Sequence, residues 1–265
     1  MPRPLSIDYT VVDDARALAE LAAETLVQQA EQAVSARRMA RIAISGGSTP
    51  KAMFALLADH NRPWFARMPW SRLELFWVDE RCVAPDHADS NYRMTREALL
   101  NHVPLSDAQI HRMEGELEPE VAAARYESEL RNSFRLEGAE TPVFDVVVLG
   151  MGPDGHTASI FPATEAINEM TKLVAANHVP QKDSWRITLT WPVINQARHV
   201  FFLIGGADKA SVLRQVLAGP RNPDLWPSQL IRPASGILTL LLDRGAAAEL
   251  PVTDRDGHGR IEREG

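Results

Sequence analysis

The chain has 265 residues, of which 45% are hydrophobic and 24% are charged, and its formal net charge at pH 7 is −7. This length can bury a substantial core, as one large α/β domain or two small ones, and an acidic chain with both signs spread along it disfavours a nucleic-acid-binding surface. The single cysteine, Cys82, excludes an internal disulfide and a cysteine-based zinc site, and it suits a reducing cytoplasm.

Helices and strands are predicted to alternate along the chain. Apolar residues recur at helical spacing over residues 13–36, and a short strand follows over residues 41–45. The next helix begins after a glycine turn, where Ser48 or Thr49 suits the N-cap and Pro50 the first helical turn. Further strands are predicted at 73–78, 145–149, 172–176, 185–190 and 199–204, a polar loop at 79–90, and helices from about 91, over 119–134 and over 208–217. This alternation predicts an α/β fold, a doubly wound and mostly parallel sheet flanked by helices on both faces.

The chain shows no internal repeat and no linker, so we predict one domain over residues 1–250. Residues 251–265 are polar and poor in apolar side chains, and we expect this tail to be disordered or loosely attached. Residues 1–12 lack the apolar stretch of a signal peptide, and the longest strongly apolar run, 200–204, is too short to span a membrane. We therefore expect a soluble, cytoplasmic protein without a membrane or nucleic-acid partner and with no obligate protein partner.

The run DVVVLGMGPDGHTASIFP at residues 145–162 is the most informative segment. Its strand ends at a glycine-rich turn that delivers Asp154 and His156 to the carboxyl end of the strand, where open α/β sheets bind ligands. A histidine beside an aspartate at such a place is a candidate for proton transfer. The alternative is structural: Asp154 caps a helix that starts near Thr157, and His156 packs against it.

A second candidate site is the turn Ser45-Gly46-Gly47-Ser48-Thr49 between a strand and a helix. Glycines allow close approach to the backbone, and the amides and dipole of a helix start attract an anion such as phosphate. A tight connection capped by Thr49 is the alternative interpretation. Two cations, Arg186 and Lys209, each lie at the end of a predicted element and would matter if they converge on this turn.

Three charged residues, Asp79, Glu80 and Arg81, directly follow the strand LELFWV. Charges at the carboxyl end of a strand are costly unless they lie in a cleft and are paired. Asp79 can orient a ligand or accept a proton, and Arg81 can bind an anion; a local ion pair on the surface is the alternative. Cys82 has no evident base partner, so we interpret it as a packing residue rather than an activated thiol.

Residues 150–155 formally match the GxGxxG fingerprint of dinucleotide-binding proteins. That site would need an acidic residue at the end of the next strand, but the strand predicted at 172–176 is followed by Asn177. Asp154 inside the loop would also repel a pyrophosphate. We therefore reject a dinucleotide site, and the sequence shows no metal motif, so no cofactor and no metal are expected.

Five segments occur in a characteristic order: SGGSTP, WVDER followed by SNYRM, GMGPDGHTASIFP, RITLTWPVIN and GGADKASVLRQVL. Together they resemble the 6-phosphogluconolactonase family of the pentose phosphate pathway, within the glucosamine/galactosamine-6-phosphate isomerase superfamily. The resemblance runs from about residue 17 to residue 248, and GMGPDGHTASIFP is its most specific part. One departure is Gly245, where a helix-forming residue is expected.

The resemblance implies hydrolysis of 6-phospho-D-glucono-1,5-lactone to 6-phospho-D-gluconate. It makes His156 the general base with Asp154 beside it, and it places Asp79 and Arg81 in the cleft without dividing their roles. The residues that would bind the substrate phosphate are Gly46, Gly47, Ser48, Thr49, Arg186 and Lys209.

Two other functions remain open. Glucosamine-6-phosphate deaminase is a relative of the same family, in which Asp79 would act as a carbon base. That enzyme has a glutamate before the proline that ends the DGH segment, whereas this chain has Phe161, which favours the lactonase. The third possibility is a non-catalytic sugar-phosphate sensor, but no basic helix-turn-helix segment is visible in the sequence.

Overall fold

The computed structural model describes residues 5–251, 254 and 257–263. Its strands are β1 (Leu5–Val12), β2 (Ala40–Ile44), β3 (Leu73–Trp77), β4 (Asp79–Arg81), β5 (Ile110–His111), β6 (Val146–Leu149), β7 (Val174–Val179), β8 (Ser184–Leu189), β9 (His199–Ile204), β10 (Ile237–Asp243) and β11 (His258–Arg263). Its α-helices are α1 (Ala15–Arg37), α2 (Ser48–Ala58), α3 (Pro63–Arg67), α4 (Asn91–Ala98), α5 (Pro119–Phe134), α6 (Trp191–Ile194) and α7 (Ala210–Ala218). None of the helices in these described ranges combines the length and apolar character needed to cross a bilayer.

The larger sheet has the strand order β11-β1-β10-β9-β6-β2-β3-β5. Its neighbouring strands are parallel, except that β11 and β1 are antiparallel. After β2 the chain continues to β3 on one side, whereas after β6 it next rejoins this sheet at β9 on the other side. The point between β2 and β6 is therefore a topological switch point, where open α/β sheets bind ligands beyond the carboxyl ends of their strands.

These elements confirm the predicted fold class, a doubly wound and mostly parallel sheet with helices on both faces. The predicted apolar stripe of α1 is buried, including Leu18, Ala22 and Leu26, and the helix packs against β2, β6 and β10. Each fully buried Leu contributes roughly 1.5–3 kcal/mol to folding. All residues of β6 and β9 are buried, as expected for central strands covered on both faces.

A second, three-stranded sheet of order β4-β8-β7 corrects part of the prediction. The strand predicted over residues 185–190 is confirmed as β8, but both of its neighbours are antiparallel to it. Only residues 180–183 separate β7 from β8, whereas a parallel crossover needs about a dozen residues or more. Asp79–Arg81, predicted inside a polar loop, forms β4 of this sheet. The strand predicted at 172–176 is found later, as β7.

The predicted tail, 251–265, is described only at residues 251, 254 and 257–263. Within that part, the expectation of a loosely attached segment is wrong, because β11 pairs with β1 along the edge of the larger sheet. Gly259 opposes Tyr9, and a Cβ at Gly259 would lie 2.1 Å from the tyrosine ring, so only glycine fits there. Arg260 also forms an ion pair with Asp8 at 2.6 Å.

Gly245, the departure from the family pattern, lies in a series of turns over residues 244–249 rather than at a helix start. A Cβ at this position would lie 2.9 Å from the backbone nitrogen of Ala207. The close approach of these two segments explains why a glycine replaces a helix-forming residue here.

Candidate active site

A cleft of about 350 Å³ opens at the switch point, beyond the carboxyl ends of β2, β6 and β9. It is lined by nearly all of the predicted site residues: Gly46, Gly47, Ser48, Thr49, Asp79, Arg81, His156, Arg186 and Lys209. Asp154 does not line the cleft, but it contacts His156 directly. Segments that are far apart in the sequence thus meet because parallel strands end at the same edge of the sheet.

The glycine turn after β2 forms one wall of the cleft and corrects the predicted helix cap. The N-cap of α2 is Gly47, so Ser48 and Thr49 are the first residues of the helix and neither side chain caps it. Gly47 has φ +114°, a conformation that favours glycine. A helix start without a side-chain cap leaves its first amides available to an anion in the cleft.

His156 and Asp154 form a close pair at the end of β6. The Nδ1 atom of His156 lies 2.5 Å from Oδ1 of Asp154, and the imidazole stacks on Phe161 at 3.9 Å between ring centres. Burial opposes ionisation of Asp154, but the hydrogen bond and the charge of His156 outweigh it and hold the pKa of this carboxyl below its usual value. An ionised Asp154 accepts the Nδ1 proton, which leaves Nε2 as the basic nitrogen.

The segment after His156 is a turn and not the predicted start of a helix. Thr157 and Ile160 form an isolated β-bridge, and Ala158 has φ +47°. The Thr157 hydroxyl donates to the carbonyl of Gly150 at 2.9 Å, which ties the two ends of the glycine loop together. Because no helix starts here, the alternative in which Asp154 is only a helix cap does not apply.

Asp79 is a buried carboxylate that lines the same cleft, with 7% of its surface exposed. Ser159 Oγ donates to its Oδ2 at 2.6 Å, and Asn91 Nδ2 donates to its backbone carbonyl at 2.9 Å. The Asn91 amide also packs against Gly46, where a Cβ would lie 1.8 Å from Asn91 Oδ1. Two neutral donors therefore fix the position of this carboxylate.

Glu80, next to Asp79, does not line the cleft and anchors helix α4 instead. Its carboxylate accepts the backbone amides of Arg81, Asn91 and Tyr92 and the hydroxyl of Ser90. Burial raises the pKa of Glu80 in spite of these four donors. Within the described residues no ion pair joins Asp79, Glu80 and Arg81, so the alternative of a local surface ion pair is not what this segment forms.

Two arginines lie opposite each other in the smaller sheet, since Arg81 of β4 pairs in register with Arg186 of β8. Burial, and secondly the charge of Arg81, lower the pKa of Arg186. The Nε atom of Arg186 is buried and has no hydrogen-bond partner in the described part of the chain. Like charges opposite each other are unfavourable unless a negative group lies between or beside them, so this arrangement favours an anionic ligand.

Lys209 completes the set of predicted cations in the cleft. It lies on a short 3₁₀ turn, Ala207–Lys209, that follows β9, and its ammonium group is paired with the exposed carboxylate of Asp208. The Lys209 side chain is 18% exposed, whereas that of Asp208 is 65% exposed. An anion that enters the cleft would therefore compete with Asp208 for Lys209.

Cys82 is a packing residue, as the sequence predicted. It is a free, half-buried cysteine, and burial raises the pKa of its thiol to about 11. A thiol with such a pKa carries little of the reactive thiolate near neutral pH. Among the residues that the structure describes, no three His, Cys, Asp or Glu side chains are grouped as metal ligands would be.

The chain is similar to known proteins over most of its length. A family profile described as Glucosamine-6-phosphate isomerases/6-phosphogluconolactonase matches residues 13–240. The chain belongs to this family. A 6-phosphogluconolactonase of Nostoc sp. is 40% identical over 244 residues, which cover 91% of this chain and 98% of that protein. One from Synechocystis sp. is 40% identical over 235 residues, or 88% of this chain and 94% of that protein.

The fold is shared with solved members of the family. The structure of a 6-phosphogluconolactonase from Trypanosoma cruzi superimposes with a TM-score of 0.80 at 32% sequence identity. The match covers 92% of this chain and 97% of that chain.

The sequence analysis does not identify three polar residues that line the cleft: Asn91, Ser159 and Lys182. Asn91 follows a serine at the start of α4, where the pattern indicates only a helix cap. Ser159 lies where the sequence predicts a helix start, and the signal for it is a single polar side chain in the apolar stretch ASIFP. Lys182 lies in the turn between β7 and β8 and reaches the cleft only because those strands form a hairpin.

Proposed function

We propose that this protein hydrolyses 6-phospho-D-glucono-1,5-lactone to 6-phospho-D-gluconate, the lactonase step of the oxidative pentose phosphate pathway. The observation that carries the proposal is one cleft that holds both an Asp-oriented histidine and an uncapped helix start with Arg186 and Lys209. The relatives from Nostoc and Synechocystis are both named 6-phosphogluconolactonase, which supports the same activity.

In the first step, neutral His156 acts as general base through Nε2. Asp154 holds the Nδ1 proton and orients the ring, and Phe161 supports the ring from one face. Nε2 removes a proton from a water molecule that attacks C1 of the lactone. A positioned base of this kind contributes roughly 10²- to 10⁴-fold to the rate, which is adequate for an ester that already hydrolyses in water.

In the second step, the tetrahedral oxyanion collapses and the C1–O5 bond breaks. The protonated His156 is well placed to donate its proton to the ring oxygen that leaves. Hydrogen-bond donors must meet the charge on the carbonyl oxygen, and Arg81 or backbone amides of the cleft can serve. Asp79, fixed by Ser159 and Asn91, retains lone pairs that can orient the hydroxyl groups of the sugar.

The phosphate group of the substrate does not react, but its binding positions C1 near the base. The amides of residues 46–49 and the cations Arg186 and Lys209 provide the donors and the positive charge that a dianion requires. Binding energy from a group that does not react can be used to fix the geometry of the reacting carbon. This division of labour predicts a strong preference for phosphorylated lactone.

The decisive experiment is hydrolysis of freshly prepared 6-phosphogluconolactone, followed by proton release against the spontaneous background. Clear acceleration is expected, and its absence would overturn the proposal. The family also includes glucosamine-6-phosphate isomerases, so ammonia release from glucosamine 6-phosphate is measured in parallel. Ammonia without lactone hydrolysis would support the deaminase, with Asp79 as carbon base; binding of either sugar phosphate without turnover would support a sensor.

We also propose that the protein acts in the cytoplasm. The free, half-buried Cys82 is consistent with a reducing compartment. Recovery of the activity with membranes or in an oxidising compartment would contradict this location.

Lys209→Ala is expected to lower kcat/KM for the phosphorylated lactone by about 10- to 100-fold, because a hydrogen bond to a charged group contributes roughly 1.5–3 kcal/mol. The loss should appear mainly in KM, and unphosphorylated gluconolactone should be a poor substrate of both proteins. Lys172→Ala, at an exposed lysine that does not line the cleft, is the matched control and should retain full activity. Equal efficiency of the wild type on both lactones would contradict the phosphate assignment.

A further inference from the structure

Lys182 is a cation at the mouth of the cleft that the mechanism above does not use. It ends the short 3₁₀ turn Pro180–Lys182 between β7 and β8, and it lines the cleft together with His156 and Phe161. Its side chain is exposed, and within the described residues it forms no ion pair. In contrast, Lys209 is already paired with Asp208.

The turn that carries Lys182 is attached to the wall that holds the base. Gln181 Nε2 donates to the carbonyl oxygen of Pro162 at 2.9 Å. Pro162 directly follows Phe161, whose ring stacks on His156 with 18° between the ring planes. This attachment connects the turn that carries Lys182 to the segment that holds Phe161 against His156.

Lys182 is separated along the hairpin from Arg186, one of the two cations assigned to the phosphate. Arg186 lies four residues further along the chain, inside β8, and β8 begins only at Ser184. At a strand rise of about 3.3 Å per residue, the two residues from Ser184 to Arg186 already span roughly 7 Å. Lys182 therefore lies outside β8, in the turn of the hairpin, whereas Arg186 lies within the strand.

The charge at C1 changes during the proposed reaction. The lactone is neutral at C1; the water oxygen forms a bond to C1 and leaves negative charge on the carbonyl oxygen. When the C1–O5 bond breaks, one proton goes to O5 and one proton is released to solvent, so the product is a carboxylate. A cation next to C1 therefore interacts with the transition state and the product but hardly with the substrate, which is the condition for raising kcat.

We propose that Lys182 is this cation: it faces C1 and stabilises first the oxyanion and then the carboxylate of the product. The inference rests on the proposed lactonase function and adds to it a second anion subsite, distinct from the phosphate subsite. It also accounts for a cleft with more cations than one phosphate needs.

The test uses two ligands that differ only at C1, 6-phosphogluconate with a carboxylate and glucitol 6-phosphate with a hydroxymethyl group. Lys182→Gln is expected to raise the Kd of 6-phosphogluconate by about 5- to 10-fold and to leave that of glucitol 6-phosphate within about twofold. It should lower kcat by about the same factor, with KM for the lactone little changed. Lys182→Arg should restore most of the loss, and Lys172→Gln should have no effect.

Lys209→Ala should give a different pattern, because it should raise the Kd of both ligands. If Lys182→Gln raises the Kd of both compounds equally, Lys182 binds the phosphate and the proposal is wrong. If it weakens neither, the side chain is simply solvated and the proposal is also wrong. Because the two Kd values are measured by calorimetry, they test Lys182 even if the wild type fails to hydrolyse the lactone, which would overturn the proposed function by itself.

Discussion

His156→Asn is expected to lower kcat for lactone hydrolysis by about 100-fold or more, the usual loss when a positioned general base is removed. Asn is smaller than His, remains polar and can still donate a hydrogen bond to Asp154 at this partly exposed turn. The variant should therefore fold. Its affinity for 6-phosphogluconate should stay within a few-fold of the wild-type value, because we assign the phosphate to other residues.

The pH profile separates a base from a merely structural histidine. A general base acts only in its deprotonated form, so the wild-type rate should rise with pH and the variant should lack this rise. Asp154 does not produce this rise, because its interaction with His156 holds the pKa of the carboxyl below its usual value. The measurement is kcat against pH for both proteins, corrected for spontaneous hydrolysis.

His60→Asn is the matched control, since His60 is exposed and lies outside the cleft. It should keep both the rate and the pH profile of the wild type. Activity of a well-folded His156→Asn protein within a few-fold of wild type would mean that another group activates the water. Asp79, the carboxylate that lines the same cleft, would then be the next residue to replace.

Long apolar runs and strong helical periods made most of the fold predictable from the sequence. The strand at 199–204 and the helix at 119–134 are found with the predicted bounds. In both cases a local pattern decides the structure, since β9 is buried throughout and α5 begins with Pro119 and ends at the left-handed Arg135.

Pairing between strands could not be predicted from such local patterns. The strand β8 has the apolar alternation of any half-buried strand, and only the short connection to β7 makes the pair antiparallel. The edge strand β11 has few apolar residues; Ile261 packs against the core, but the main interaction is backbone pairing with β1. The two strands are about 250 residues apart in the sequence. The local periodicity of hydrophobic residues therefore cannot predict that they pair.

The site was predictable where a motif carries a chemical group and a backbone signal together. The segments around Gly46 and His156 each combine a strand end with glycines, and the sheet brings them together. Asn91 and Ser159 could not be predicted as site residues, because they contribute through hydrogen bonds to Asp79, which is distant from both in the sequence. The glycine loop at 150–155 matches the dinucleotide-binding fingerprint only formally. Its second glycine, Gly152, is explained by its contacts with neighbouring side chains.

Gly152 leaves space for His156 and Asp154, the pair that we propose as the catalytic base. A Cβ added to Gly152 would lie 2.1 Å from Nδ1 and 2.2 Å from Cε1 of His156, and 2.6 Å from Oδ1 of Asp154. These distances are much shorter than van der Waals contact, so the His156 ring and the Asp154 carboxylate must move away from the added Cβ. The backbone of Gly152 is not in the left-handed region, so alanine itself causes no backbone strain there.

Gly152→Ala is therefore expected to lower kcat by about 100-fold, as removal of the base does, because Asp154 can no longer orient His156. The overpacked turn should cost about 1–3 kcal/mol in the free energy of unfolding, and 6-phosphogluconate should bind nearly as before. Gly150→Ala is the comparison, since no heavy atom lies within 4 Å of the added Cβ, and its kcat should stay well above that of Gly152→Ala. A folded Gly152→Ala protein that retains wild-type kcat would show that turnover does not depend on the His156–Asp154 contact, and the assignment of this pair as the catalytic base would be lost.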